Sequence, residues 1–173
     1  MDNREKFIWA VFVVILVIII YNKVIPPRVK TKSTSSNSVT QSQQTLSLAI
    51  QGMTNGLKDY NINGNIADVQ KNENIIADIF ENYKSVDAKN EFYVFVDLIT
   101  QEIDMIKRKA SDTDINTVKN SINMSADKLS GLLAIDPINF QNYVVIIDSI
   151  IAGKDVSTDI IGVSNNISVL IIK

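Results

Sequence analysis

Cysteine and histidine are both absent from the 173 residues of this chain. Without cysteine there is no disulfide framework, thiol nucleophile, thiolate metal site or iron–sulfur cluster. Without histidine the usual general base near neutral pH is missing, together with the common zinc sites and the Ser-His-Asp triad. No Walker loop, nucleophile elbow, Rossmann glycine pattern or pilin-type processing site occurs either. Glycine (six residues) and proline (three) are scarce, and only Pro137 lies beyond the first 45 residues, which favours helices over turn-rich sheet. No residues are assigned a catalytic, cofactor-binding or metal-ligating role, and the chain reads as a non-enzyme that needs no cofactor.

Charge is unevenly spread. Residues 1–45 hold six basic and two acidic side chains, a balance of +4, whereas residues 46–173 hold 11 basic and 17 acidic, a balance of −6. An acidic domain is repelled by phosphate backbones, so a nucleic-acid partner is not expected.

One long hydrophobic run is present. Phe7 to Tyr21 is unbroken apolar or aromatic sequence, and Val24 and Ile25 extend it if Asn22 and Lys23 snorkel. About 19 helical residues span roughly 28 Å, close to a hydrocarbon core of about 30 Å. Trp9 and Tyr21 lie near its two ends, and Pro26 and Pro27 would stop the helix. The run exceeds the apolar core of a signal peptide and no small-x-small cleavage pattern follows it. The expectation is a retained single-pass transmembrane anchor over residues 1–27, with Phe7 to Ile25 in the bilayer. The basic residues Lys23, Arg28, Lys30 and Lys32 outnumber Arg4 and Lys6, which leans the C-terminal domain to the cytoplasmic side, or to the interior of a virion.

Residues 28–45 are rich in Ser, Thr and Gln and read as a flexible linker. Residues 46–173 then read as a bundle of five or six helices. Leu46, Ile50, Met53 and Leu57 fall at helical intervals, followed by a break at Asp59–Asn65. Ile66, Val69, Ile76, Phe80 and Tyr83 make a second stripe, and Phe92, Phe95, Val96, Ile99, Ile103 and Ile106 a third, widened by Val94 and Leu98. Asp112 or Asp114 can cap a fourth helix carrying Ile115, Val118, Ile122, Ala126, Leu129 and Leu133. Asp136-Pro137 starts a fifth that Gly153 ends, and Ser157 could cap a sixth. The runs at 92–96, 142–147 and 167–172 are rich in β-branched residues and could instead be short strands of an α+β domain.

Several segments invite a chemical reading. Asp59, Asn61, Asn63 and Gly64 resemble the start of a calcium loop, with oxygen side chains at positions one, three and five and glycine at six. The twelfth position is Gln70 rather than a bidentate glutamate, so an Asn-Gly turn is the simpler account. Asp112-Thr-Asp114 has similar spacing and reads as a cap. Asp97, Glu102 and Asp104 read as a solvated acidic face rather than an acid–base pair. Lys107-Arg108-Lys109 closes the third helix, where cations complement the helix dipole. Asn123-Met-Ser125 and Asn166-Ile-Ser168 fit the glycosylation triplet, and Val169 to Lys173 ends on an apolar run that would pack into the bundle.

The function these features suggest is a membrane-anchored structural or scaffold protein, holding a protein assembly to a bilayer through its helical domain. Two alternatives stand beside it: a component of a lipid-containing virion joining membrane to capsid, and a tethered ligand or calcium sensor. The expected partners are the bilayer, through Phe7 to Ile25, and a protein bound by the helical domain, which could itself form oligomers.

Overall fold

The computed structural model describes residues 35–173, with side chains from residue 38 onward. Six helices follow one another: α1 (Ser35–Asn63), α2 (Ala67–Tyr83), α3 (Val86–Lys107), α4 (Asp112–Leu133), α5 (Ile138–Ile151) and α6 (Ser157–Ile171). Among the described residues there is no strand. The β-branched runs at 92–96 and 142–147 lie within helices, and that at 167–172 does so up to Ile171, because each supplies inward positions at helical spacing. Phe92, Phe95 and Val96, then Tyr143, Ile146 and Ile147, then Ile167, Ile171 and Ile172 are all buried.

Short polar side chains end and begin these helices. Gly64, at φ +78°, turns the chain out of α1, and its N–H donates to the Tyr60 carbonyl at 3.0 Å. Asn65 Oδ1 then accepts from Ala67 N at 3.1 Å to open α2. Ser85 Oγ accepts from Ala88 N, and Ser111 Oγ from Asp114 N, capping α3 and α4. The α4 cap is therefore Ser111; Asp112 and Asp114 lie in the first turn, where a carboxylate suits the helix dipole. Asp136 Oδ1 accepts from Ile138 N at the start of α5, and Gly153, at φ +75°, follows that helix. Asp155, not Ser157, serves α6: its Oδ1 accepts from Ser157 N at 3.1 Å and from Ser157 Oγ.

Neighbours in sequence pack as neighbours in space from α2 to α6. Cross-helix pairs give the directions. Glu91 meets Ser125 and Glu102 meets Lys119, so α3 and α4 are antiparallel; Lys119 meets Asp148, so α4 and α5 are too. Helix α1 runs against α2 and α6 and alongside α5. Its Ser42 meets Tyr83 at the end of α2, Ser47 meets Ser164 of α6, and Asn61 reaches the last carbonyls of α5. The result is an up-and-down bundle closed by contact between α1 and α6.

The core is aliphatic with an aromatic seam. Phe80 and Phe92 meet edge to face at 5.1 Å, Phe95 and Phe140 at 5.9 Å, and Phe95 and Tyr143 lie 6.3 Å apart, linking α2, α3 and α5. Helix α1 fills the space behind them with Leu46, Ile50, Met53 and Leu57. Thr54 gives its proton to the Ile50 carbonyl, so the buried Tyr143 hydroxyl donates to Thr54 Oγ1 at 3.0 Å. Burial holds the Tyr143 phenol above its ordinary pKa.

Three expectations are corrected. No helix among the described residues is long and apolar enough to cross a membrane. The most apolar, α5, has 14 residues, about 21 Å at the helical rise, and carries Asn139, Gln141, Asn142 and Asp148. The span expected over Phe7 to Ile25 lies outside the described residues. A bilayer partner, a membrane location and a membrane-tethered scaffold, in its cellular or virion form, thus find no membrane-spanning element here; the described residues form a helical bundle. Second, residues 35–45 are not a flexible linker but the first turns of α1. They fold because they gain partners: Gln43 Nε2 donates to the Ile172 carbonyl at 2.7 Å, Tyr83 Oη to Ser42 Oγ at 2.8 Å, and Val39 packs on the core. The linker's remaining residues, 28–34, lie outside the described residues. Third, Val94 does not widen the buried face of α3 but is exposed, while Leu98 packs at its edge.

Candidate functional site

The residues singled out for chemistry do not converge. Asp59, Asn61 and Asn63 lie within the last two turns of α1, and the chain leaves helical conformation only at residues 64–66. Successive helical residues are rotated by about 100°, so Asp59 and Asn63 share one face while Asn61 projects from the opposite side, and no calcium loop forms. Asn61 Nδ2 is instead bound to the Ile151 carbonyl at 3.3 Å, and Asn63 Oδ1 accepts from Asn65 N at 2.8 Å. This corrects the calcium-sensor alternative: Asn-Gly is a helix end. No group of three or more Asp, Glu, His or Cys that could hold a metal ion occurs among the described residues.

The acidic trio of α3 separates onto different faces. Asp97 is exposed and lies near Glu73 of α2, whose carboxyl is pushed up to about 7 by burial first and by the Asp97 charge second. Asp104 accepts from Tyr60 Oη at 2.7 Å, which ties α3 to the end of α1 and raises the Tyr60 pKa. Lys107 adds to this junction, donating to the Tyr60 carbonyl and lying 4.6 Å from the centre of its ring. Lys109 adopts a left-handed conformation, φ 56°, where the chain leaves α3.

Glu102, expected on a solvated face, is 1% exposed. Its Oε1 lies 3.3 Å from Lys119 Nζ without hydrogen-bond alignment, and the same ammonium sits 2.9 Å from Asp148 Oδ1. Two carboxylates thus share one cation at the junction of α3, α4 and α5, beside a cavity of about 40 Å³ that Asn123 and Val144 also line. Burial raises the Glu102 pKa, against the opposing pull of Lys119. A second buried carboxylate, Glu91, accepts from Ser125 Oγ at 2.6 Å and pairs with Lys128. Both clusters pin α4 to its neighbours. They account for Ser125 of the first Asn-x-Ser triplet, and Ser168 of the second is likewise buried, donating to the Ser164 carbonyl.

The larger concavity lies elsewhere, between α1 and α6. It has a volume of about 390 Å³ and is lined by Gln43, Gln44, Ser47, Leu48, Gln51, Asn165, Ser168 and Val169, with Thr40 at one end. Its floor is a hydroxyl and amide network: Ser47 Oγ lies 2.6 Å from Asn165 Oδ1, and Gln51 Nε2 lies 3.0 Å from Ser164 Oγ. The small Ser47, Ser164 and Ser168 let the two helices approach. On the rims, Leu48 and Val169 remain 57% and 55% exposed. Ile161, one turn before Asn165 on the same face of α6, is 50% exposed. No hydrogen bond among the described residues engages the Gln44 amide, Gln51 Oε1 or Asn165 Nδ2. No ionisable side chain lines the groove.

Apolar spacing does not announce this groove, because three of its nine lining residues, Thr40, Gln43 and Gln44, lie in the polar segment expected to be a linker, and most of the others are polar too. A signal was present nonetheless: Ser35 to Leu57 contains no charged residue, nor does Ile160 to Ile172. Comparison of the chain with protein-family models, with curated proteins and with solved structures finds no match.

Proposed function

We infer that this chain is a protein-binding module rather than an enzyme, and that it binds through the face formed by α1 and α6. The observation that carries the reading is the uncharged groove, with Leu48, Ile161 and Val169 exposed beside amides that have hydrogen-bonding capacity to spare. Exposed apolar side chains along the rims of an uncharged polar floor share with interface cores the depletion of charged residues. A groove between two antiparallel helices is also where a third helix packs when a bundle is extended. From Thr40 to Gln51 it is about 17 Å long, room for three helical turns.

Site-specific photo-crosslinking tests this. A benzophenone amino acid at Val169 should form a reproducible protein adduct in cells, whereas the same group at Met124, exposed on α4, should not. Equal labelling from the two positions, or none from Val169, would remove the α1–α6 face from consideration.

A further inference from the structure

We propose that the occupant of the α1–α6 groove is a second copy of this chain, with α1 of each copy lying in the groove of the other about a twofold axis near Leu48. The proposal rests on the reading of this face as a protein-docking surface and adds the identity of the partner.

Charge is the first argument. Residues 46–173 carry a balance of −6, and every acidic residue among them lies between Asp59 and Asp159. Two domains of net charge −6 repel each other, most strongly between charges within a screening length of about 8 Å at physiological salt. The neutral α1–α6 face lets two such acidic bodies meet without the strongest of that repulsion.

Self-complementarity is the second. A twofold interface sets the same patch against itself, so each group must suit its own symmetry mate or a neighbour of it. A patch of one charge fails this condition. Side-chain amides satisfy it, since each both donates and accepts. With α1 antiparallel to its mate about a point between Ser47 and Leu48, Gln44 of one copy comes opposite Gln51 of the other, and the pairing occurs twice. The unengaged Gln44 amide and Gln51 Oε1 then have partners, and each Leu48 enters the partner's groove towards Val169.

Absence of cysteine makes the geometry directly testable in the full-length chain. Two differently tagged chains, one carrying Gln44→Cys and the other Gln51→Cys, are co-expressed and oxidised with copper phenanthroline. The expected result is at least tenfold more mixed covalent dimer than from a pair carrying Asn90→Cys, an exposed position on α3, and its loss when Leu48→Glu is added to both chains. Circular dichroism confirms that each variant retains its helix content. Equal crosslinking at the two positions, or none at 44–51, overturns the dimer. If a photo-crosslinker at Val169 then captures a different protein, the docking face stands and only its occupant was misassigned. If it captures nothing, both readings fall.

Discussion

Glu102 shares one ammonium with Asp148 while being almost wholly removed from water. Desolvation outweighs the attraction of Lys119, so the folded protein favours the neutral acid more than the unfolded chain does. Glu73 behaves alike, its carboxyl raised from 4.5 to about 7. A carboxyl whose folded pKa lies above its unfolded one contributes stability that is complete below the unfolded value. That contribution is lost as pH rises through the folded value. Glu73→Gln, which fixes the neutral form, should therefore raise the melting temperature at pH 8 and leave it nearly unchanged at pH 4. Thermal melts of the two proteins across that range check the sign; equal effects at both ends would show that burial of Glu73 carries no proton linkage. The position of Glu102 was legible in part. It falls three residues after Ile99, on the line through Phe95 and Ile99 that reads as the buried stripe, yet a lone carboxylate there looks like a solvated edge. Only the arrival of Lys119 from another helix makes its burial tolerable, and no spacing within α3 announces that.

Helices α2 to α5 could be read from their apolar spacing because each buries one stripe, as Val69, Ile76 and Phe80 do in α2. The first half of α1 could not. Gln41 to Thr45 carries no large apolar group, and its helix depends on Ile172, just past the end of α6, and Tyr83 of α2. Close approach of α1 to α2 depends on Gly56. A Cβ there would lie 2.7 Å from Val69 N and 3.0 Å from the Asp68 carbonyl carbon, both backbone atoms that cannot swing aside. Gly56→Ala should cost about 1–3 kcal/mol by overpacking. Gly131→Ala, with nothing within 4 Å of the new methyl in α4, should gain roughly 0.5–1 kcal/mol from helix propensity. Urea denaturation of the two variants tests the contrast; equal effects would mean that α1 and α2 can part without penalty.

On the scale of the molecule, residues Ser36–Lys173 form one compact unit, and α1 touches α2, α3, α5 and α6 at once. Local unfolding of any one of these would strip apolar surface from α1. Unfolding should therefore be a single cooperative transition. Tryptophan introduced at Phe80 in α2 and, separately, at Phe140 in α5 should report the same urea midpoint as circular dichroism on the same variant. Separated midpoints would show that the bundle divides into independent parts.

Placing α1 against α6 also sets a timetable for synthesis. Ser164 and Asn165 leave the ribosome 117 and 118 residues after Ser47, which they hold in the finished bundle. At about 5–20 residues per second that interval is roughly 6–24 seconds. Throughout it Leu46, Ile50 and Met53 of α1 lack part of the surface that will cover them. The nascent chain thus passes through a stage in which its first described helix shows an apolar stripe, uncharged as far as Leu57, that awaits the last helix, a form that a ribosome-associated chaperone would recognise.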